Sequence, residues 1–215
     1  MTTRRTKAGE GGDGRRRSKV EPHVPRDVVS PRHPAHVTLK LARDLPSLRR
    51  DATFEVLREC FSLAKDRLEV RMVHFSVQDD HIHLIAEAPR RRALSSAIQG
   101  FKIRVAKQLN RVWGRGGTIF PERYHLEVLR TPAEVRDALR CVYGCARRHG
   151  ARLEDELDPM SSAAWFPGWK GRRGAAEPLD DDAPVVAPRT KLLTEGWKEA
   201  GGAIDVTEVP AEECR

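Results

Sequence analysis

Apolar and polar residues alternate over residues 36–41, where His36, Thr38 and Lys40 interleave with Val37, Leu39 and Leu41. A period of two sends successive side chains to opposite faces, so this stretch predicts a strand. Over residues 47–68 the apolar positions change rhythm: Phe54, Leu57, Cys60, Phe61, Ala64 and Leu68 recur three and four apart, as one face of a helix does. Two short β-type runs follow, 71–77 and 81–86, split by Gln78, Asp79 and Asp80, which predicts a hairpin. Residues 94–113 return to helical spacing through Leu94, Ile98, Phe101, Val105, Leu109 and Val112, and the glycines between 114 and 117 stop the helix. Strand patterning resumes over 118–129, interrupted by Pro121. Thr131, Pro132 and Glu134 then supply an N-cap, a proline in the first helical position and a capping-box glutamate for a third helix, which Gly150 ends.

The order strand, helix, strand, strand, helix, strand plus one helix predicts an α+β fold. It is a ferredoxin-like βαββαβ antiparallel sheet with helices on one face and an added C-terminal helix. Residues 1–31 are rich in Arg, Gly and Pro with few sizeable apolar side chains, and predict a disordered basic arm ahead of a domain at 32–150. From 151 to 215 the chain is acidic and Pro/Gly-rich, with Trp165, Phe166, Trp169, Leu192, Leu193 and Trp197 scattered along it. This pattern predicts an accessory tail whose short segments dock on the domain rather than build a second core.

Charge sharpens this division. The 215 residues carry a net charge of +8, made of +5 over residues 1–35, +9 over 36–150 and −6 over 151–215. A basic body suits a polyanionic partner, because neutralised phosphates release condensed counterions, although lysine and arginine also simply solubilise exposed faces. No apolar run approaches the ~20 residues of a membrane-spanning helix, and none follows the basic N-terminus as a signal peptide would, so a cytoplasmic protein with no membrane partner is expected. Cys60, Cys141, Cys145 and Cys214 are too few and too uneven for a disulfide scaffold and read as reduced thiols.

His81, Ile82 and His83 are the most informative triplet. On a strand both imidazoles share one face while Ile82 and Leu84 point into a core, so the pair either chelates a divalent metal or lies on a solvated face. Residues 75–85 resemble the hairpin of the single-tyrosine HUH transposases, including the REP-associated tyrosine transposases. In order along the chain, residues 32–39 are similar to that family's first strand, and 116–120 with Arg123, Tyr124 and His125 to its last. Residues 136–140 open a helix like its third. The resemblance implies a transposase that binds single-stranded or hairpin DNA. Its histidines hold Mg²⁺ or Mn²⁺ at the scissile phosphate, and a helical tyrosine attacks phosphorus to leave a 5′-phosphotyrosine link.

The aligned helix departs from that pattern. Cys141 occupies the nucleophile position and Cys145, one turn on, the position of the polar third ligand. Two thiols facing His81 and His83 would make a tetrahedral set suited to Zn²⁺ instead, unless both cysteines merely fill space. Tyr143 is the remaining candidate phenol, about 200° around the helix from the aligned position, with Gly144 beside it to ease local rewinding. The alternative to catalysis is an inactive, DNA-binding member of the same fold. Lys102, Arg104, Lys107, Arg111, Arg115, Arg123 and Arg130 are the expected phosphate-tracking residues around the histidine face, and a homodimer is compatible with the pattern.

Overall fold

The computed structural model describes residues 28–153, 157–171 and 179–210. Most of the expected basic arm, residues 1–27, and three pieces of the tail, 154–156, 172–178 and 211–215, lie outside the described residues. The elements of the body are β1 (Ala35–Lys40), α1 (Asp51–Ser62), β2 (Asp66–Arg67), β3 (Val70–Val77), β4 (His81–Glu87), α2 (Arg91–Val112), β5 (His125–Val128) and α3 (Pro132–Arg148). They form one five-stranded sheet in the order β2-β3-β4-β1-β5, with every neighbouring pair antiparallel. Without the short β2 this is the split βαβ order of the ferredoxin-like class, in agreement with the expected α+β fold.

Two boundaries differ from the sequence pattern. α1 stops at Ser62 instead of continuing to Leu68, because Leu68 and Glu69 take φ of 54° and 64° and turn β2 back onto β3. The last strand shrinks from 118–129 to His125–Val128. Pro121 has no N–H to give to a ladder, and Ile119 and Phe120 are spent instead in the core. The start of α3 follows its sequence signature: Thr131 Oγ1 accepts the Glu134 N–H at 3.2 Å and Glu134 Oε2 accepts the Thr131 N–H at 3.2 Å.

The sheet is buried on both faces. Val37, Leu39, Phe75, Ile82 and Leu84 point to α1 and α2, where Phe61 stacks on Phe75 with ring centroids 3.9 Å apart. The opposite face is covered by α3, so the helices are not confined to one side. The acidic tail also does more than dock short segments. Ala163, Phe166, Leu193, Trp197 and Ile204 join Val73, Ile85, Val135, Leu139 and Val142 in a second core. The tail is fastened across the sheet end by Glu87, whose buried carboxylate accepts the backbone N–H of Arg189 at 2.9 Å and of Thr190 at 2.7 Å. Those two residues lead into α4 (Lys191–Thr194), where an anion is favoured by the helix dipole.

A bulge between Met72 and His74 in β3 turns His74 toward this second core. There its Nδ1 accepts the Tyr143 hydroxyl at 2.7 Å, and complete burial depresses its pKa to about 3. In the unfolded chain the same imidazole titrates near 6.5. Between those values the unfolded state binds more protons, so stability is full above about pH 6.5 and falls as the pH drops toward 3, by up to about 1.4 kcal/mol per unit from this residue. Urea unfolding from pH 7 to pH 4 should show that loss, and His74→Phe should flatten it; an unchanged slope would contradict the burial of His74 as a neutral group.

Candidate functional site

Alternation along β4 sets the site. Ile82, Leu84 and Ala86 enter the first core, so His81 and His83 necessarily face α3. Three ligand atoms converge there. His81 Nε2 and His83 Nε2 are 3.0 Å apart, and Cys145 Sγ on α3 lies 3.8 Å from the first and 3.7 Å from the second. All three residues are at most 8% exposed. A tetrahedral zinc with bonds of 2.0–2.1 Å to nitrogen and 2.3 Å to sulfur separates its ligands by about 3.3 Å (N to N) and about 3.6 Å (N to S). The observed triangle fits a metal of that size.

Each imidazole is held from behind. Asp80 Oδ1 accepts the proton of His81 Nδ1 at 2.7 Å, which leaves Nε2 with its lone pair toward Cys145. His83 Nδ1 meets Thr38 Oγ1 at 3.2 Å and His36 Nε2 at 3.1 Å, because Thr38 is the register partner of His83 on the neighbouring strand. Burial lowers the pKa of His81, with Asp80 opposing the shift, and lowers that of His83 further, with the charges of His36, His81 and His149 adding to it. Both rings are therefore neutral, the form that ligates metals. Burial alone would raise the Asp80 carboxyl, but His81 and Lys40 hold it below its ordinary value. Burial also pushes the Cys145 thiol up to about 12, so a cation is needed to make this sulfur a thiolate.

The two other candidates on α3 fare differently. Cys141 is disulfide-bonded, whereas Cys60 and Cys145 are free, so the expectation of uniformly reduced thiols does not hold. Its sulfur forms a second close group with His36 and His83, but a disulfide sulfur offers neither a nucleophile nor a thiolate ligand. That reduces the anticipated four-ligand set to His81, His83 and Cys145. Tyr143 is 6% exposed, packs against Phe166 and Trp169 and gives its hydroxyl to His74, and its pKa is raised by burial. As folded it belongs to the second core and not to the metal-facing side. Gly144 also has a different use from helix rewinding: a Cβ there would stand 2.6 Å from the Glu208 carbonyl oxygen, so glycine lets the tail cross α3 closely.

The expected basic residues separate from the histidines. Lys102, Arg104, Lys107 and Arg111 ride on α2, and Arg115 follows it, on the layer that covers the other face of the sheet. Lys102 is engaged with the Glu122 carbonyl at 2.8 Å and lies over Phe120, while Arg123 lies over Tyr124 and Arg130 precedes α3. They do not surround the histidine cluster. His36, Thr38, Asp80 and His149 do border it and were not anticipated. Asp80 and His149 could have been found, the first by adjacency to His81 and the second by its four-residue spacing from Cys145.

The ferredoxin-like sheet thus carries paired histidines on its central hairpin, facing a helix that closes the cluster. Residues 35–131 match the family described as Transposase IS200 like. Among solved structures it is similar to a REP-associated tyrosine transposase bound to a REP hairpin, at 18% identity and a TM-score of 0.52. That alignment covers 66% of this chain and 82% of the other, and it supports the fold. A protein of Deinococcus radiodurans R1 assigned as a transposase is 14% identical over 53% of this chain and 87% of its own, with a TM-score of 0.39. No curated protein matches the chain.

Tyr143→Phe tests the placement of the phenol. It should cost about 1–2 kcal/mol in urea unfolding by leaving His74 Nδ1 buried without a partner, and should leave metal uptake unchanged. A stable variant that loses metal would place Tyr143 at the site after all.

Proposed function

We propose that this transposase-type protein binds single-stranded or hairpin DNA and holds a divalent metal at His81, His83 and Cys145, without forming a phosphotyrosine link. The observation that carries the reading is the convergence of two imidazole nitrogens and one thiol on a single point of an IS200-like domain. The similar structure bound to a REP hairpin and the +9 charge of residues 36–150 support the choice of DNA. The resemblance favours Mg²⁺ or Mn²⁺, but sulfur is a soft donor and the nitrogen and sulfur spacing suits Zn²⁺, so we assign zinc.

A zinc ion bound by three protein ligands keeps one position for water or a phosphate oxygen, whose charge it would neutralise. The protein residues supply the rest. Asp80 fixes the tautomer and direction of His81, and Thr38 and His36 do so for His83. Lys40, placed where β1 ends beside His81, and the exposed Lys107, Arg111 and Arg115 supply positive potential for a nucleic-acid backbone. The chain has two tyrosines, and neither phenol is presented to His81 or His83: Tyr143 is bound to His74, and Tyr124 shares a hydrogen bond with Ser95 at 2.8 Å in the α2 layer.

Purified protein should take up one equivalent of Zn²⁺, and the double variant His81→Ala, His83→Ala should take up none. Asp80→Asn should weaken uptake by about 10- to 100-fold. Cys145→Ser should shift preference toward Mn²⁺. Labelled DNA hairpins should bind with strong salt dependence and, with Mn²⁺ or Zn²⁺, yield no covalent adduct. Undiminished metal uptake by the histidine variant would remove this site, and an adduct mapped to Tyr143 or Cys141 would restore catalysis.

A further inference from the structure

The outer face of α3 carries Arg136, Arg140, Gly144 and Arg148, four residues apart and therefore in one row, with about 6 Å of helix rise between successive positions. Residues 205–210 run along this row. Arg136 Nη2 donates to the Glu208 carboxylate at 3.2 Å, Arg140 Nη2 to the Val209 carbonyl at 3.2 Å, and Arg148 Nη1 to the Pro210 carbonyl at 2.7 Å. Between them the absence of a side chain at Gly144 lets the Glu208 carbonyl and the Pro210 ring rest on the helix. A carboxylate and two carbonyl oxygens thus meet a file of guanidinium groups, which places acceptors along the row as a phosphodiester backbone on arginines would.

The segment is held mainly by polar contacts. Glu208 pairs with both Arg136 and Arg140 and Pro210 is buried, whereas Val209 is 41% exposed, and the backbone of 205–210 joins no strand. Arg136 Nη1 is buried without a hydrogen-bond partner, so the segment leaves donor capacity unused. A carbonyl offers one weak acceptor where a phosphate offers charged oxygens, so a polyanion gains more from the same row.

We infer that Arg136, Arg140 and Arg148 form a second phosphate-tracking surface for single-stranded DNA, which residues 205–210 cover until DNA displaces them. The inference rests on the DNA reading above and adds to it a surface and a means of control. It also gives the acidic tail a role beyond packing: by mass action, the cover lowers apparent affinity in proportion to the fraction of chains in which it is closed.

Two full-length variants open the cover in different ways. Gly144→Ala sets a methyl against the Glu208 carbonyl without changing charge, and Glu208→Gln removes the carboxylate without touching the helix. Each, shown folded by its thermal transition, should bind a single-stranded DNA hairpin about tenfold more tightly than the parent at one salt concentration. The slope of log affinity against log salt should steepen by about 2, from about 0.7 for each of three phosphates. Adding Arg140→Ala to Gly144→Ala should abolish the gain. Amide exchange over residues 205–210 should rise when the parent protein binds the hairpin. If the parent binds DNA but neither variant binds more tightly, or the gain survives Arg140→Ala, the cover is refuted and the DNA reading stands. If parent and variants alike fail to bind DNA, both fall.

Discussion

Strand β4 is the constraint on which the rest depends. Its seven residues are all buried, yet they alternate between two environments of opposite character: Ile82, Leu84 and Ala86 in an apolar layer, His81, His83, Ile85 and Glu87 in a layer that must satisfy polar atoms. A strand cannot slip by one residue without exchanging the two sets, so the register of the sheet and the position of the histidines are a single decision. Burying two imidazoles costs several kcal/mol if their nitrogens go unpaired, and here each ring has a partner at Nδ1 while the two Nε2 atoms converge with the Cys145 sulfur. The polar cluster is thus compatible with the fold because β1, the β3–β4 turn and α3 each bring a group to it.

That requirement explains the tail. A helix laid on the histidine face has an outer side of its own, and α3 would expose Leu139 and Tyr143 if Phe166, Leu193 and Trp197 of the tail did not pack on it. Trp197 is 2% exposed and gives its indole N–H to the Leu193 carbonyl at 3.1 Å, so the tail brings its own polar satisfaction into the layer. Arg49 and Asp158 tie the start of this region to the body through paired hydrogen bonds of 2.9 and 2.8 Å, with the aspartate side chain 2% exposed. Removing either partner would strand the other charge in a low-dielectric setting. The acidic character of the tail coexists with a structural role: Phe166, Leu193 and Trp197 face inward, and Asp158 and Glu208 pair with arginines of the body.

The same reasoning separates the two cysteines of α3. Cys145 is one turn beyond Cys141, and both were legible as residues of one helix face. Only Cys145 reaches both Nε2 atoms as a free thiol. Cys141 lies on the flank toward His36, committed to a disulfide. The two sulfurs of α3 are therefore in different chemical states, one a free thiol beside both imidazoles and the other bonded.

Local pattern was sufficient for what depends on neighbours in sequence. The alternation of residues 81–86, the capping box at Thr131 and the spacing of α2 fixed the element order, the shared face of His81 and His83 and hence the ferredoxin-like class, because period and capping are properties of a few consecutive residues. What depended on elements distant in the chain was not legible. The register of β1 against β4 decides that Thr38 and His36 support His83. The bulge in β3 decides that Tyr143 meets His74 rather than a phosphate. The placement of α2 and α3 on opposite faces separates the anticipated basic residues from the histidines. Each of these is a choice between side chains of similar local propensity, settled by which arrangement buries the apolar stripes of two helices and a tail while leaving the buried polar atoms of the site paired, and that balance exists only once the whole chain is packed.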